Sequence, residues 1–195
     1  MKNRVNSWLL ILLRTFTGGL LLVYGTSVFA QEIGLQQLDT RNDGSRILNI
    51  SVLEQPRELS SFSFFDEYGN EHTMSNYRGK VVALHFWATW CPPCRKELPS
   101  IDYLQKVLDK EEFTFITLSV DREGINVVAE YMASHNINNL PIFLDENMKA
   151  ARALFINGIP STILIDREGR EIGRILGDRD WSLLEVENLM RRIIR

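Results

Sequence analysis

A chain of 195 residues, 45% hydrophobic and 24% charged, has the composition of an ordinary globular protein, long enough for one domain with something appended. The formal net charge is −3, and the first thirty residues carry Lys2, Arg4 and Arg14 with no acid, so the remainder is more acidic still and nucleic acid is not an expected partner. The opening stretch has a basic start, two apolar runs split by Arg14, and Val28-Phe29-Ala30 ahead of a polar segment, which reads as a secretory signal over residues 1–30 cut after Ala30. The rival is an uncleaved anchor, against which the uncharged run after Arg14 is shorter than the ~20 residues that span a bilayer. Residues 31–56 are polar with scattered aliphatics and read as a linker or mobile arm, with one candidate short strand at Ile47 to Leu53. From residue 57 to 195 the signals sharpen into a single domain.

"SFSFFDEYGNEHTM" reads as two strands around a turn at Tyr68-Gly69-Asn70, and "SNYRGK" as a connector. "VVALHFW", Val81 to Trp87, is almost continuously apolar, as a strand buried on both faces should be. "CRKELPSIDYLQKVLDK" places Leu98, Ile101, Leu104, Val107 and Leu108 at helical spacing, with Pro99 expected to break the backbone bonding. "FTFITLSV" reads as a second buried strand, "NVVAEYMASHNI" as a helix, "PIFLD" as a short strand and "NMKAARALF" as another helix. "STILID", a turn at "REG", "EIGRIL" and a final helix from Asp180 to Ile194 complete the chain. Strands alternate with helices, so the class is α/β with a mixed central sheet.

Both cysteines, Cys91 and Cys94, lie in "FWATWCPPCRKELPS". A structural staple closing so small a loop would remove little entropy from the unfolded chain. A metal site would need further ligands, and beyond carboxylates only His72, His85 and His135 are on offer, none in a second paired motif. Redox chemistry remains as the best reading. After a strand, Cys91 starts a helix, where unpaired N–H groups and the helix dipole favour a thiolate, so Cys91 is the expected nucleophile. Cys94, one turn on, is the expected resolving partner. Pro92 and Pro93 suit the first helical positions, and they also remove two N–H donors that could have served the thiolate. The Cys91 thiol is therefore expected to be lowered in pKa, but less than at a donor-rich site.

"FWATWCPPCRKELP", followed some distance on by "GIPSTILIDREG", resembles the thioredoxin superfamily, and within it the exported bacterial thiol–disulfide oxidoreductases of the TlpA/ResA type. The resemblance implies a thioredoxin-like fold: a central mixed β-sheet flanked by helices, with an N-terminal β-hairpin extension and an inserted helix. The redoxin and peroxiredoxin branch shares much of that fold, but its peroxide-reducing cysteine is a lone residue in a different setting, so the paired site argues against that branch. The resemblance implies that Pro160 is a cis proline opposite the cysteines and that Ile159 offers backbone bonds to an extended substrate. Trp90, Pro92 and Pro93 complete the expected substrate-binding set. Gly158 would let the chain approach the disulfide. It further implies an acid near the cysteines that tunes their proton transfer; Glu97 is the candidate, the alternative being a solvent-facing helical carboxylate. His85 departs from thioredoxin itself, which has a buried carboxylate there. A packed, hydrogen-bonded imidazole is the expected reading of His85, with a catalytic base as the other. Trp87 and Trp90 are expected to line the site and Trp181 to pack in the core from the last helix. Arg95 and Lys96 either raise the thiolate fraction or face water.

The expected function is that of a periplasmic or otherwise extracytoplasmic reductant of disulfides in other exported proteins, tethered if the N-terminal segment is uncleaved. The cysteine pair carries the two electrons itself, so no cofactor or metal is expected. A reducing couple in an oxidising compartment needs a membrane electron-transfer partner, of the CcdA/DsbD type. Apocytochrome c is one client class of the family. Members dedicated to it often carry "GAPE" where this chain has "GIPS", which weakens that assignment. The alternatives are an oxidase or isomerase of exported thiols and a non-catalytic chaperone that only holds chains.

Overall fold

A computed structural model describes residues 50–195. The expected signal segment, residues 31–49 of the expected arm and the start of the candidate strand at Ile47 lie outside the described residues. Val81–Trp87 forms β4, all seven residues buried, and it pairs in parallel with β5 (Phe113–Ser119) and antiparallel with β7 (Ser161–Ile165). A strand hydrogen-bonded on both edges and covered on both faces has no polar side to show, which is why the sequence runs apolar without alternation. Beyond β7 lie β8 (Arg170–Leu176) and the edge strand β1 (Ile50–Glu58), both pairings antiparallel. Beyond β5 lie the two-residue β6 (Phe143–Leu144), then β2 (Ser63–Asp66) and β3 (Glu71–Thr73). The eight-stranded mixed sheet carries α1 (Pro92–Val107), α2 (Ile125–Ser134), the short α3 (Lys149–Ala153) and α4 (Leu184–Ile194). This is the thioredoxin-like α/β fold that the sequence implied.

The hairpin β2–β3 forms at the expected turn, because the Asp66 carboxylate accepts from the backbone N–H groups of Tyr68 and Asn70 and Gly69 takes the left-handed conformation at φ 81°. The connector after it is a 3-10 turn, Met74–Tyr77, started by the Asn76 side chain accepting from Thr73 N–H. Pro99 leaves the Arg95 carbonyl without a helical N–H donor, as expected, yet α1 runs on through it with Leu98, Ile101 and Leu104 buried. The expected strand at "PIFLD" shrinks to Phe143 and Leu144. The helix after it shortens because Asn147 and Met148 turn left-handed while the buried Asp145 carboxylate accepts from Ala150 and Ala151 N–H. The last helix starts at Leu184 instead of Asp180, since the Asp180 side chain takes the Ser182 N–H and hydroxyl in a local turn. Trp181 thus precedes the helix, though it is buried as expected.

Residues 50–56 of the expected arm are sheet: β1 pairs Ile50 with Ile175 and, after a bulge, Arg57 with Glu171. The buried Glu171 carboxylate accepts from Arg57 at 2.8 Å and from Arg174 at 2.6 and 3.0 Å. Burial by itself would raise the Glu171 carboxyl, but the hydrogen bonds from Arg174 and Arg57 outweigh it and hold it below the usual range. Replacing Glu171 with Ala leaves the half-buried Arg174 without its carboxylate. We expect a loss of about 3 kcal/mol, the low end for a broken buried pair because Arg57 can turn to water. Urea unfolding checks this, and a loss within experimental error would show that the pair does not hold β1 to the sheet.

Candidate active site

β4 ends at Trp87, and its chain direction delivers residues 88–90 to the start of α1. The buried Asp121, just after β5, holds this link: one carboxylate oxygen accepts from Thr89 N–H and from the Ser119 hydroxyl, the other from the Thr89 hydroxyl. Cys91 is the N-cap residue of α1, with extended backbone, and its sulfur accepts from Cys94 N–H at 3.3 Å. Pro92 and Pro93 occupy the first two helical positions and bring no N–H, as expected. The two sulfurs are joined in a Cys91–Cys94 disulfide with Cα atoms 5.3 Å apart. Cys94 is wholly enclosed and Cys91 nearly so, while Trp90 beside them is 59% exposed.

The Ile159–Pro160 peptide bond is cis, and the Ile159 carbonyl lies 3.9 Å from the Cys91 sulfur. The loop is held from behind, Gly177 N–H donating to the Pro160 carbonyl at 3.0 Å. Gly158 is not needed for room, since a Cβ there would meet no atom within 4 Å. Trp87 is fully buried against Tyr131, ring centroids 5.7 Å apart, so it supports the site from the core and does not line it. Arg95 lies over the Tyr131 ring at 6.0 Å, and Lys96 pairs at the surface with Asp178.

Glu97 is buried, which overturns the reading of a solvent-facing carboxylate. One turn beyond Cys94 on α1, its Oε2 accepts from Arg179 N–H and from the Trp181 indole N–H, both at 3.0 Å. Its Oε1 lies 3.4 Å from His85 Nε2, and His85 Nδ1 is 2.9 Å from the Thr162 hydroxyl. His85 is thus the packed, hydrogen-bonded imidazole expected of it. Asp121, Arg179, Trp181 and Thr162 are site residues that sequence reasoning missed. Trp181 sits 84 positions from Glu97 with no motif to announce it, whereas Thr162 follows the Ile-Pro signature by two and could have been found by pairing β7 with β4.

Burial pushes the Glu97 carboxyl from its ordinary 4.5 up to about 7, against the opposing hydrogen bonds from Trp181 and Arg179. Burial also pushes the His85 ring from 6.5 down to about 3, so the contact between them is no ion pair at neutral pH. Among the described residues, no three His, Cys, Asp or Glu side chains gather as metal ligands would.

The Redoxin family matches residues 54–193. The thiol-disulfide oxidoreductase ResA of Geobacillus thermodenitrificans (strain NG80-2) is 34% identical over 109 residues, 56% of this chain and 62% of that relative, so the match spans less than two thirds of its length. ResA of Bacillus subtilis (strain 168) is 28% identical over 140 residues, 71% of this chain and 77% of the relative. A crystal structure of a thiol:disulfide interchange protein, thioredoxin family protein, from Chlorobium tepidum TLS superposes with a TM-score of 0.60 and 28% identity, over 73% of this chain and 99% of that one. The Redoxin match corrects the expectation that paired cysteines set the chain apart from that branch. It rests on the whole domain, while the cysteine spacing is one turn of one helix.

The two buried groups act on stability in opposite directions. Glu97, with its folded value raised, contributes stability that is complete below about 4.5 and lost as pH rises through about 7. His85, with its folded value depressed, contributes stability that is complete above about 6.5 and lost as pH falls towards about 3. Between about 4.5 and about 6.5 the slopes cancel. In Glu97→Gln only the His85 slope remains. The stability of the disulfide form should then rise across that window by about 1.4 kcal/mol per pH unit relative to wild type. Urea unfolding curves that stay parallel for the two proteins would contradict this.

Proposed function

The chain belongs to the Redoxin family, as a TlpA/ResA-type member of the thioredoxin superfamily, and on that premise we propose that it is a thiol–disulfide oxidoreductase reducing disulfides in other exported proteins. The observation that carries this reading is the Cys91–Cys94 pair at a helix start, with Cys91 facing the Ile159 carbonyl. A client strand would lie across the site, its backbone on Ile159 beside Pro160 and its side chains against Trp90, Pro92 and Pro93.

In the proposed reaction the Cys91 thiolate attacks one sulfur of a client disulfide. The client S–S bond breaks, a mixed disulfide forms through Cys91, and the other client sulfur leaves as a thiolate that takes up a proton. Cys94 then gives its proton to the Glu97 carboxylate and attacks the Cys91 sulfur. The second client sulfur departs, and the Cys91–Cys94 bond closes with two electrons passed to the client. A carboxyl at about 7 suits that proton transfer, since a base works best when its pKa lies near the working pH.

The donor count supports the reducing direction. A disulfide catalyst becomes a strong oxidant when its reduced thiolate is unusually stabilised. Here Pro92 and Pro93 withhold two donors, Cys94 N–H remains, and Glu97 follows Cys94 by three residues on α1. The basic and apolar N-terminal segment supports export, and recharging would come from a membrane electron-transfer protein of the CcdA/DsbD type. Apocytochrome c is a candidate client in this scheme. No cofactor is required.

Mixed-disulfide trapping tests the reading. Cys94→Ser should accumulate partners linked through Cys91, and Cys91→Ser should trap none, as scored by mass spectrometry of the exported compartment. Partners linked in preference through Cys94 would reverse the roles. Full retention of client handling in Cys91→Ser would point instead to a holdase that keeps the fold without the chemistry.

A further inference from the structure

Four buried polar atoms of this site have no hydrogen-bond partner among the described residues, Trp87 Nε1, Arg179 Nε, His85 Nε2 and Glu97 Oε1, and the last two face each other at 3.4 Å. A single proton placed between them would satisfy both, after a shift of a few tenths of an ångström. The other atom of each group is already engaged. Glu97 Oε2 accepts two N–H donors, so it is poorly placed to carry a proton and Oε1 is the atom that would take one. His85 Nδ1 faces the Thr162 hydroxyl, which can either donate or accept.

We propose that His85 and Glu97 form one buried proton-sharing pair in which His85 stays neutral and reverses its hydrogen-bond polarity, with the Thr162 hydroxyl as counter-partner on Nδ1. When Glu97 is ionised, His85 donates its Nε2–H to Oε1 and Nδ1 accepts from Thr162. When Glu97 is protonated, Oε1–H donates to Nε2, and the Nδ1–H donates to Thr162. The two arrangements differ by one proton, taken up at the carboxyl. The ring changes tautomer without gaining charge. His85 is on this account a positioning residue for Glu97, and its use in exchange rests on the functional reading above.

The surroundings fit a neutral ring. Around His85, Thr162 of β7 and Thr117 of β5 are its register neighbours, neither charged. Cys94 and the surface Lys96 share α1 with Glu97 and Cys91 caps it, while Asp178 and Arg179 approach from the segment after β8 with opposite effects on the carboxyl. Burial disfavours a second proton on the ring. A hydrogen bond to a charged acceptor is stronger than one to a neutral acid, so His85 helps the anion more than the acid and keeps Glu97 from rising further.

The test is made on the full chain with the disulfide closed, by following the ring nitrogen shifts of His85 and the carboxyl infrared band of Glu97 across its titration. The expected result is a ring protonated at Nε2 on the alkaline side and at Nδ1 on the acid side, reversing at the midpoint of the carboxyl band. A ring that keeps one tautomer throughout, or that becomes doubly protonated with the carboxyl, would overturn the proposal. In a second arm, His85→Phe removes the donor and should increase the proton affinity of Glu97 about tenfold, whereas His85→Asn, which retains an amide donor, should return most of that shift. An unmoved midpoint in a folded His85→Phe would also overturn it. If that variant does not fold, the ring measurement on the unaltered chain still decides. Neither arm requires exchange activity, so a failure of the oxidoreductase reading and a failure of this pair are read separately.

Discussion

A carboxylate enclosed in the protein must find partners or give up its charge, and Glu97 meets that demand in a way that organises the whole site. Its donors, Arg179 N–H and the Trp181 indole, come from 82 and 84 residues along the chain. The segment after β8 must therefore run beneath the start of α1. The same segment fixes the cis Pro160 loop through Gly177 N–H, so the loop facing Cys91 and the Glu97 carboxyl are held by one short piece of chain. On the other side the carboxyl meets His85 of β4, the strand whose end carries the cysteines.

On the proposed reading the helix start restrains the thiolate. An N-terminus with all its N–H groups aimed at a sulfur would stabilise the thiolate strongly. Two prolines withdraw donors from that position, and Cys94 N–H at 3.3 Å remains. Enclosure of Cys94 keeps the second thiol from partners in solution, which suits a residue whose proposed target is the Cys91 sulfur alone. Exposure is confined to Trp90 and the surfaces beside it, where a client would arrive.

The parts of this arrangement that were legible in the sequence are those set by local pattern. Val81 to Trp87 reads as a central strand because burial on both faces demands an unbroken apolar run. The cysteines read as a helix start because proline at the first positions has few other uses. The turn at Gly69 and the cis bond at Pro160 were likewise legible from their residues, the second through resemblance. What stayed hidden depends on partners distant in sequence or on side chains that compete with backbone. Asp180 delays α4 to Leu184 by bonding Ser182, and Asp145 shortens α3 by holding Ala150 and Ala151. Glu97 was ambiguous because the spacing that puts it on the face of Cys94 does not say whether that face is covered. Trp181 provides the cover, and nothing near Trp181 in the sequence announces it.

We propose that a modestly stabilised Cys91 thiolate makes this pair an electron donor. Equilibrating the full chain against a graded thiol–disulfide buffer, with Trp90 fluorescence reporting the state of the pair, measures that directly. The account predicts a two-electron midpoint nearer the about −270 mV of thioredoxin than the about −120 mV of DsbA. A midpoint close to the DsbA value, with Cys91 ionised far into the acid range, would contradict it and make the protein an oxidant of exported thiols.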